Sequence, residues 1–93
     1  MTNLYLVNEN TNFRLGCNDV CRRIYNHLAS LSRENGTFRS SVKQLSSTLG
    51  YSESGIRYWL SLMKDAKVIT LTRRGGYYDL DVNHNVSFIT SNN

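Results

Sequence analysis

The sequence predicts an α+β fold in which three helices are followed by a C-terminal β-hairpin. Three successive stretches of the first two-thirds of the chain have apolar residues at helical spacing. After Lys67 the period changes to two, and the pair Gly75-Gly76 separates two alternating runs. Such a glycine pair indicates a tight hairpin turn, because its backbone needs positive φ.

Length and composition indicate one globular domain over residues 1–93. The chain is 40% hydrophobic and 19% charged, which excludes a disordered protein. We expect a core over about 18–83, with the ends 1–17 and 84–93 forming extra strands or flexible segments. No apolar run approaches the length of about 20 residues that spans a bilayer, and the start lacks the features of a signal peptide. A cytoplasmic location with no membrane partner is therefore expected.

The first predicted helix begins after Asn18, which caps it, and ends before Gly36. Its apolar face is formed at helical spacing by Val20, Cys21, Ile24, Leu28 and Leu31. We expect about four turns, with arginines on the other faces.

The segment "LGYSESGIRYW", Leu49 to Trp59, is predicted to be a tight turn between two further helices. Ser41 and Gln44 have capping-box spacing where the earlier helix begins, and Gly50 permits the left-handed backbone that ends it. These signals at matched offsets are typical of a helix-turn-helix.

The third predicted helix begins at a cap supplied by Ser52 or Ser54 and runs to about Lys67. Its apolar stripe consists of Ile56, Leu60 and Met63, with Trp59 at the edge. In the hairpin that follows, Tyr77 and Tyr78 fall on opposite faces, so one is expected in the core and the other on the surface.

Cys17 and Cys21 are expected to pack as small apolar side chains. A disulfide is not expected in a cytoplasmic protein, and adding His27 and His84 gives a spacing that fits no compact zinc site. We therefore expect neither a metal nor a cofactor.

The positive charge is concentrated in the middle of the chain. Between Arg39 and Arg74, seven basic residues stand against two acidic ones, a local charge of +5 within a net charge of +4. The last nineteen residues carry only Asp79 and Asp81. A polyanion-binding surface needs such a local excess, although basic solvated surfaces are common.

The run "RSSVKQLSSTLGYSESGIRYWLSLMKDAKVITLTRRGG", Arg39 to Gly76, resembles the winged helix-turn-helix family. The likeness is to the small winged domains of phage and plasmid replication initiators and regulators, and it rests on "QL…LGYSES.IR" and the following "L..AKVI". Two positions depart from the pattern, since Lys67 stands where Gly usually precedes the wing strand and Trp59 replaces a smaller residue. The resemblance implies a three-helix winged helix-turn-helix with a C-terminal hairpin wing, and duplex DNA as partner.

The resemblance also implies which residues contact DNA, because the third helix would enter the major groove. Base contacts are expected from its solvent-facing residues Ser54, Arg57, Tyr58 and Ser61. Phosphate contacts are expected around the start of the middle helix from Arg39, Ser41 and Lys43, and at the hairpin tip from Arg73 and Arg74. Five of these residues have a plainer explanation: Ser54 as a helix cap, Arg57 and Tyr58 as ordinary surface residues, and the pair Arg73 and Arg74 as a polar turn.

We therefore expect sequence-specific binding of double-stranded DNA, in transcription or replication control of a phage, plasmid or other mobile element. The alternative is a small protein-binding module, such as a phage-encoded inhibitor or adaptor of a host protein, that uses Trp59, Leu62 and Tyr77 and tolerates loss of the arginines. An enzyme is not expected, because no catalytic set of side chains is recognisable.

A homodimer is also considered, since helix-turn-helix proteins often bind two-fold sites as dimers. The terminal runs "LYLV" and "VSFI" are candidates for a dimer strand, or for a local sheet that closes the same domain.

Overall fold

The computed structural model describes residues 2–92 of the chain. The elements in chain order are β1 (Thr2–Asn8), β2 (Phe13–Cys17), α1 (Asp19–Asn35), β3 (Phe38–Ser40), α2 (Val42–Leu49), α3 (Glu53–Asp65), β4 (Ile69–Arg74), β5 (Tyr77–Val82) and β6 (Val86–Asn92). Met1 and Asn93, the outermost residues of the two terminal segments considered above, lie outside the described residues.

The predicted fold class, a three-helix winged helix-turn-helix with a C-terminal hairpin wing, is wrong. The structure is α+β with three helices and six strands in two sheets, and strands lie before, between and after the helices. The terminal sheet has the order β2-β1-β6, and the hairpin sheet has the order β3-β5-β4. The chain ends therefore build a sheet of their own, and β3 adds a third strand to the hairpin.

The terminal sheet forms because the two chain ends share an apolar face that must be buried. β1 and β6 pair antiparallel from Thr2 opposite Asn92 to Asn8 opposite Val86. Leu6 is fully buried opposite Phe88, whose ring meets Tyr25 of α1 edge-on at a centroid distance of 5.7 Å. The runs "LYLV" and "VSFI" thus pair with each other within one chain.

The core lies between the three helices and the inner faces of both sheets. Its fully or almost fully buried side chains include Leu6, Cys21, Ile24, Leu28, Leu45, Ile56, Leu60, Met63, Val68 and Leu80. The stripe predicted for the third helix is buried, and so are the central residues of the first, Cys21, Ile24 and Leu28, whereas Val20 and Leu31 at its ends are half-buried. Within residues 2–92, no helix combines the length and apolar character needed to cross a membrane.

The capping signals read from the sequence are confirmed for α1 and α2. The Asn18 side chain accepts a hydrogen bond from the Cys21 N–H at 2.9 Å. Ser41 and Gln44 form a reciprocal capping box, each side chain accepting from the other residue's backbone N–H at 3.0 Å. Gly50 ends α2 in the left-handed conformation, with φ of 78°, which favours glycine because it has no Cβ.

The cap of α3 is Ser52, whose hydroxyl accepts from the Gly55 N–H at 3.1 Å. Ser54 lies inside the first turn and is not the N-cap. The tight turn between α2 and α3 is closed by the Ser46 hydroxyl, which donates to the Tyr51 carbonyl.

The end of α3 is a Schellman turn with Lys67 at its left-handed position. The Lys67 N–H donates to the Lys64 carbonyl at 3.0 Å, and the Val68 N–H donates to the Met63 carbonyl at 3.1 Å. Lys67 has φ of 60°, a conformation that is usually given to glycine. Lys67, where the sequence resemblance led us to expect glycine, is thus a strained residue.

Asn8, which is 1% exposed, ties this turn to the terminal sheet. Its side-chain NH₂ donates to the carbonyls of Ala66 and Lys67, at 3.0 and 3.2 Å. Its side-chain oxygen accepts from the Asn10 N–H at 2.9 Å and from the Asn83 amide at 3.4 Å. One buried side chain therefore joins the N-terminal strand, the end of α3 and the link before β6.

This hydrogen-bond network extends through Asn83 to Val68, the residue before β4, and to α1. The Asn83 N–H donates to the Val68 carbonyl at 2.9 Å, and the Tyr25 hydroxyl donates to the Asn83 carbonyl at 2.6 Å. The turn that follows α3 is thus bound directly by Asn8 and Asn83, and through Asn83 it is linked to α1.

We predict that Asn8→Asp destabilises the protein by about 3 kcal/mol at pH 7. The carboxylate has the shape of the amide but no donor, so it leaves the Ala66 and Lys67 carbonyls unsatisfied and repels them. Urea unfolding followed by circular dichroism measures the change. Asn26→Asp, on the exposed face of α1, is the matched control, and equal effects of the two substitutions would contradict the role given to Asn8.

Candidate nucleic-acid interface

Three adjoining hollows, of about 250, 220 and 330 Å³, lie between α3 and the β4–β5 hairpin. The first and second share Arg57 and Tyr78 as lining residues, and the second and third share Lys64 and Leu71. We call this feature the α3–hairpin groove.

The α3–hairpin groove is lined by five exposed cationic side chains from four parts of the fold. They are Lys43 of α2, Arg57 and Lys64 of α3, Lys67 of the turn that follows, and Arg73 of β4. The Ser41 and Ser61 side chains lie in the same lining. Such a row of cations, with hydroxyls between them, is chemically suited to a polyanion.

Strand alternation decides which hairpin arginine reaches the groove. Arg73 lies opposite Tyr78 in the β4–β5 ladder, on the face that carries Leu71 and Leu80 toward α3. Arg74 is the next residue, so its side chain points to the reverse face of the hairpin sheet. Only one of the two adjacent arginines lines the groove.

On that reverse face, Asp79 forms ion pairs with two of the residues predicted to contact DNA, Arg39 and Arg74. The Arg39 Nε–H donates to one carboxylate oxygen at 3.1 Å, and the Arg74 Nε–H donates to the other at 3.0 Å. The hydrogen bond from Arg39, with a further contribution from Arg74, holds the pKa of Asp79 below the ordinary value of an aspartate. Arg39 and Arg74 therefore share one carboxylate on the reverse face of the hairpin sheet, away from the groove.

Glu53 is the acidic residue in the lining of the first hollow. Its carboxylate accepts from Arg57 at 3.2 Å, across one turn of α3, and both side chains are about half exposed. Exposed pairs of this kind contribute only about 0.3–0.5 kcal/mol. A phosphate can therefore replace Glu53 as the partner of Arg57 at small cost.

The ridge of α3 that points away from the core stands beside the groove. Ser54 and Tyr58 lie on it, and the Tyr58 side chain is 60% exposed. Tyr58 meets the half-buried Trp59 edge-on, with ring centroids 5.2 Å apart, which orients both rings. Of the four side chains expected to reach bases, Arg57 and Ser61 line the groove and Ser54 and Tyr58 form the adjacent ridge.

Sequence reasoning missed Lys64 and Lys67. A usable signal exists for Lys64, since it lies seven residues after Arg57 and therefore on the same face of α3. Lys67 follows the helix, and its position depends on the turn that Asn8 holds. No periodic pattern in the sequence predicts that Lys67 lies in the groove.

Both cysteines are free thiols. Cys17 ends β2 and is half-buried, while Cys21 lies in the first turn of α1 and is completely buried. A hydrogen bond between them lowers the pKa of Cys17 and, together with burial, raises that of Cys21. Among the described residues, no group of three or more His, Cys, Asp or Glu side chains is placed to hold a metal ion.

No protein-family model, curated protein or solved structure matches the chain. The placement of side chains in the groove is therefore the basis for a functional conclusion.

We predict that Arg39→Ala raises the pKa of Asp79 more than Arg74→Ala does, because the hydrogen bond from Arg39 is the largest cause of its lowering. Since the folded pKa lies below that of an unfolded aspartate, about 3.9, these ion pairs stabilise the fold above that pH. The contribution is lost as the pH falls through the folded pKa. Carbon-detected NMR titration of the carboxyl group measures the pKa, and Arg22→Ala, which removes the separate pair with Asp19, is the control. An unchanged Asp79 titration in Arg39→Ala would contradict the assignment.

Proposed function

We propose that the chain binds double-stranded DNA through the α3–hairpin groove and the adjoining ridge of α3. This proposal rests on one observation: five cationic residues line the same groove, namely Lys43, Arg57, Lys64, Lys67 and Arg73. Four of them, all except Arg57, form no ion pair within residues 2–92. Cations without a protein partner are available to neutralise phosphates and release counterions.

In this proposal, one strand of a duplex backbone lies in the groove. A sugar–phosphate strand separates the major groove from the minor groove, so a strand seated between α3 and the hairpin puts these elements on its two sides. The ridge with Ser54 and Tyr58 then faces the major groove, which is wide enough to admit a helix. Arg57, which stands between ridge and groove, is placed to contact either a guanine edge or a phosphate.

The sequence resemblance of Arg39–Gly76 to the winged helix-turn-helix family also supports the proposal that the chain binds double-stranded DNA. It supports a cytoplasmic regulator of transcription or replication in a phage, plasmid or other mobile element, and binding as a dimer remains part of the proposal. Because the two candidate dimer strands pair within one chain, they need not be the contact between two copies.

The alternative, a protein-binding module, has weaker support from the surface. Trp59 and Leu62, two of its three expected anchors, are half-buried. The exposed large apolar side chains of the described residues are Phe13, Tyr58 and Tyr77, on three different elements. A docking surface for a protein usually gathers such residues into one patch.

We predict that Arg73→Ala weakens DNA binding and lowers the salt dependence of log K by about one, as expected for loss of one phosphate contact. Arg74→Ala is the matched control, because it removes the same chemistry one residue away on the reverse face, and it should leave the salt dependence unchanged. Fluorescence anisotropy on a labelled duplex, between about 50 and 200 mM salt, measures both. Equal losses in the two variants would contradict the assigned faces, and absence of salt-dependent binding by the wild type would overturn the proposed function.

We also predict that Arg57→Lys relaxes sequence preference while retaining most non-specific affinity. Lysine keeps the charge but lacks the two-pronged geometry that fits guanine, a difference of about 1–3 kcal/mol at the base concerned. Duplexes selected from a random library by the wild type are compared with scrambled duplexes. Lys43→Arg, which preserves charge at the other side of the groove, is the control. If Arg57→Lys keeps the full ratio of specific to scrambled affinity, Arg57 does not read a base.

A further inference from the structure

Lys67 combines a strained backbone with a place in the α3–hairpin groove. It occupies the left-handed position of the Schellman turn with φ of 60°, where a residue with a Cβ is less stable than glycine. Strained residues of this kind are a starting point for a hypothesis of function when the surrounding structure holds them in place.

The surrounding structure does hold Lys67. The Asn8 amide donates to its carbonyl at 3.2 Å and to that of Ala66 at 3.0 Å, and its own N–H is bound to the Lys64 carbonyl. The backbone therefore cannot relax by turning its peptide groups toward solvent. These bonds restrict the base of the Lys67 side chain, which emerges at the far end of the groove.

At that end, Lys67 and Lys64 line a hollow of about 330 Å³ whose other wall is the start of β4, from Ile69 to Leu71. Of the residues that the structure describes, none with an acidic side chain lines this hollow. Lys64 also lines the middle hollow together with Arg57. The cationic lining thus continues past the last turn of α3, beyond the residues expected to read bases.

We infer that Lys64 and Lys67 form a second phosphate site, which binds the nucleic-acid backbone flanking the segment that α3 contacts. This inference rests on the proposed function and adds to it a separate contact that requires the Asn8-held turn. Lysine in place of glycine at residue 67 contributes a charge for this contact and costs stability at the turn.

Lys67→Gly tests the inference because it changes stability and binding in opposite directions. Removing the Cβ relieves the left-handed strain, so the thermal midpoint should rise by about 3 °C. Removing the ammonium should weaken binding about five- to tenfold near 0.1 M salt and lower the salt dependence of log K by about one. Lys64→Ala should reproduce the loss of binding, and Lys67→Arg should retain the affinity.

Asn12→Gly is the matched backbone control, because Asn12 also has positive φ, 61°, but lies in the exposed turn between β1 and β2. It should leave DNA binding unchanged. Arg14→Ala, which removes an exposed charge from the terminal sheet, is the control for net charge. Calorimetry gives the midpoints, and anisotropy on one duplex gives affinities and salt slopes.

Wild-type binding with undiminished affinity in both Lys67→Gly and Lys64→Ala would overturn this inference and leave the proposed function standing. An equal loss of affinity in Arg14→Ala would also overturn it, since net charge would then explain the effect. If the wild type shows no salt-dependent binding to the duplex, the proposed function fails and the inference fails with it.

Discussion

The contact between the Asn8 side chain and the end of α3 is the constraint on which the rest of the structure depends. Two carbonyls of the Schellman turn accept from one amide that is almost completely buried in the terminal sheet. A buried donor or acceptor without a partner costs about 1–3 kcal/mol, so the turn and the sheet stabilise each other. Because α3 and the hairpin both emerge from this turn, the angle between them, and with it the α3–hairpin groove, depends on Asn8.

The helices could be predicted from the sequence because their signals are local. Asn18, the Ser41–Gln44 box and Gly50 act on backbone groups within five residues of themselves, and apolar spacing supplies the rest. For the terminal sheet, local signals left two alternatives open, a dimer strand and a local sheet within one chain. Asn8 and Val86, which pair in this sheet, lie at opposite ends of the chain. No local pattern specifies with which strand a short apolar run will pair. The predicted fold class failed there.

The candidate site was predictable to the extent that it depends on periodicity. Lys43, Arg57 and Arg73 line the groove as helix position and strand alternation require. The strand pairing also puts Arg73 and Arg74 on opposite faces of the hairpin sheet. Arg73 is on the groove side because Tyr78, its partner in the ladder, lines the groove. By contrast, the ion pair between Arg39 and Asp79 joins residues forty positions apart, so it depends on the pairing of β3 with β5 and not on any local motif.

The most direct test of the proposed interface is an NMR titration of ¹⁵N-labelled protein with a short duplex, read as changes in backbone amide signals. The account predicts that the largest changes map to both walls of the groove, at Lys43, Arg57, Lys64 and Arg73, and that they diminish as salt is raised. The strands of the terminal sheet should change little. Changes centred on the terminal sheet, or none at any salt concentration, would contradict the assignment of the α3–hairpin groove as the nucleic-acid surface.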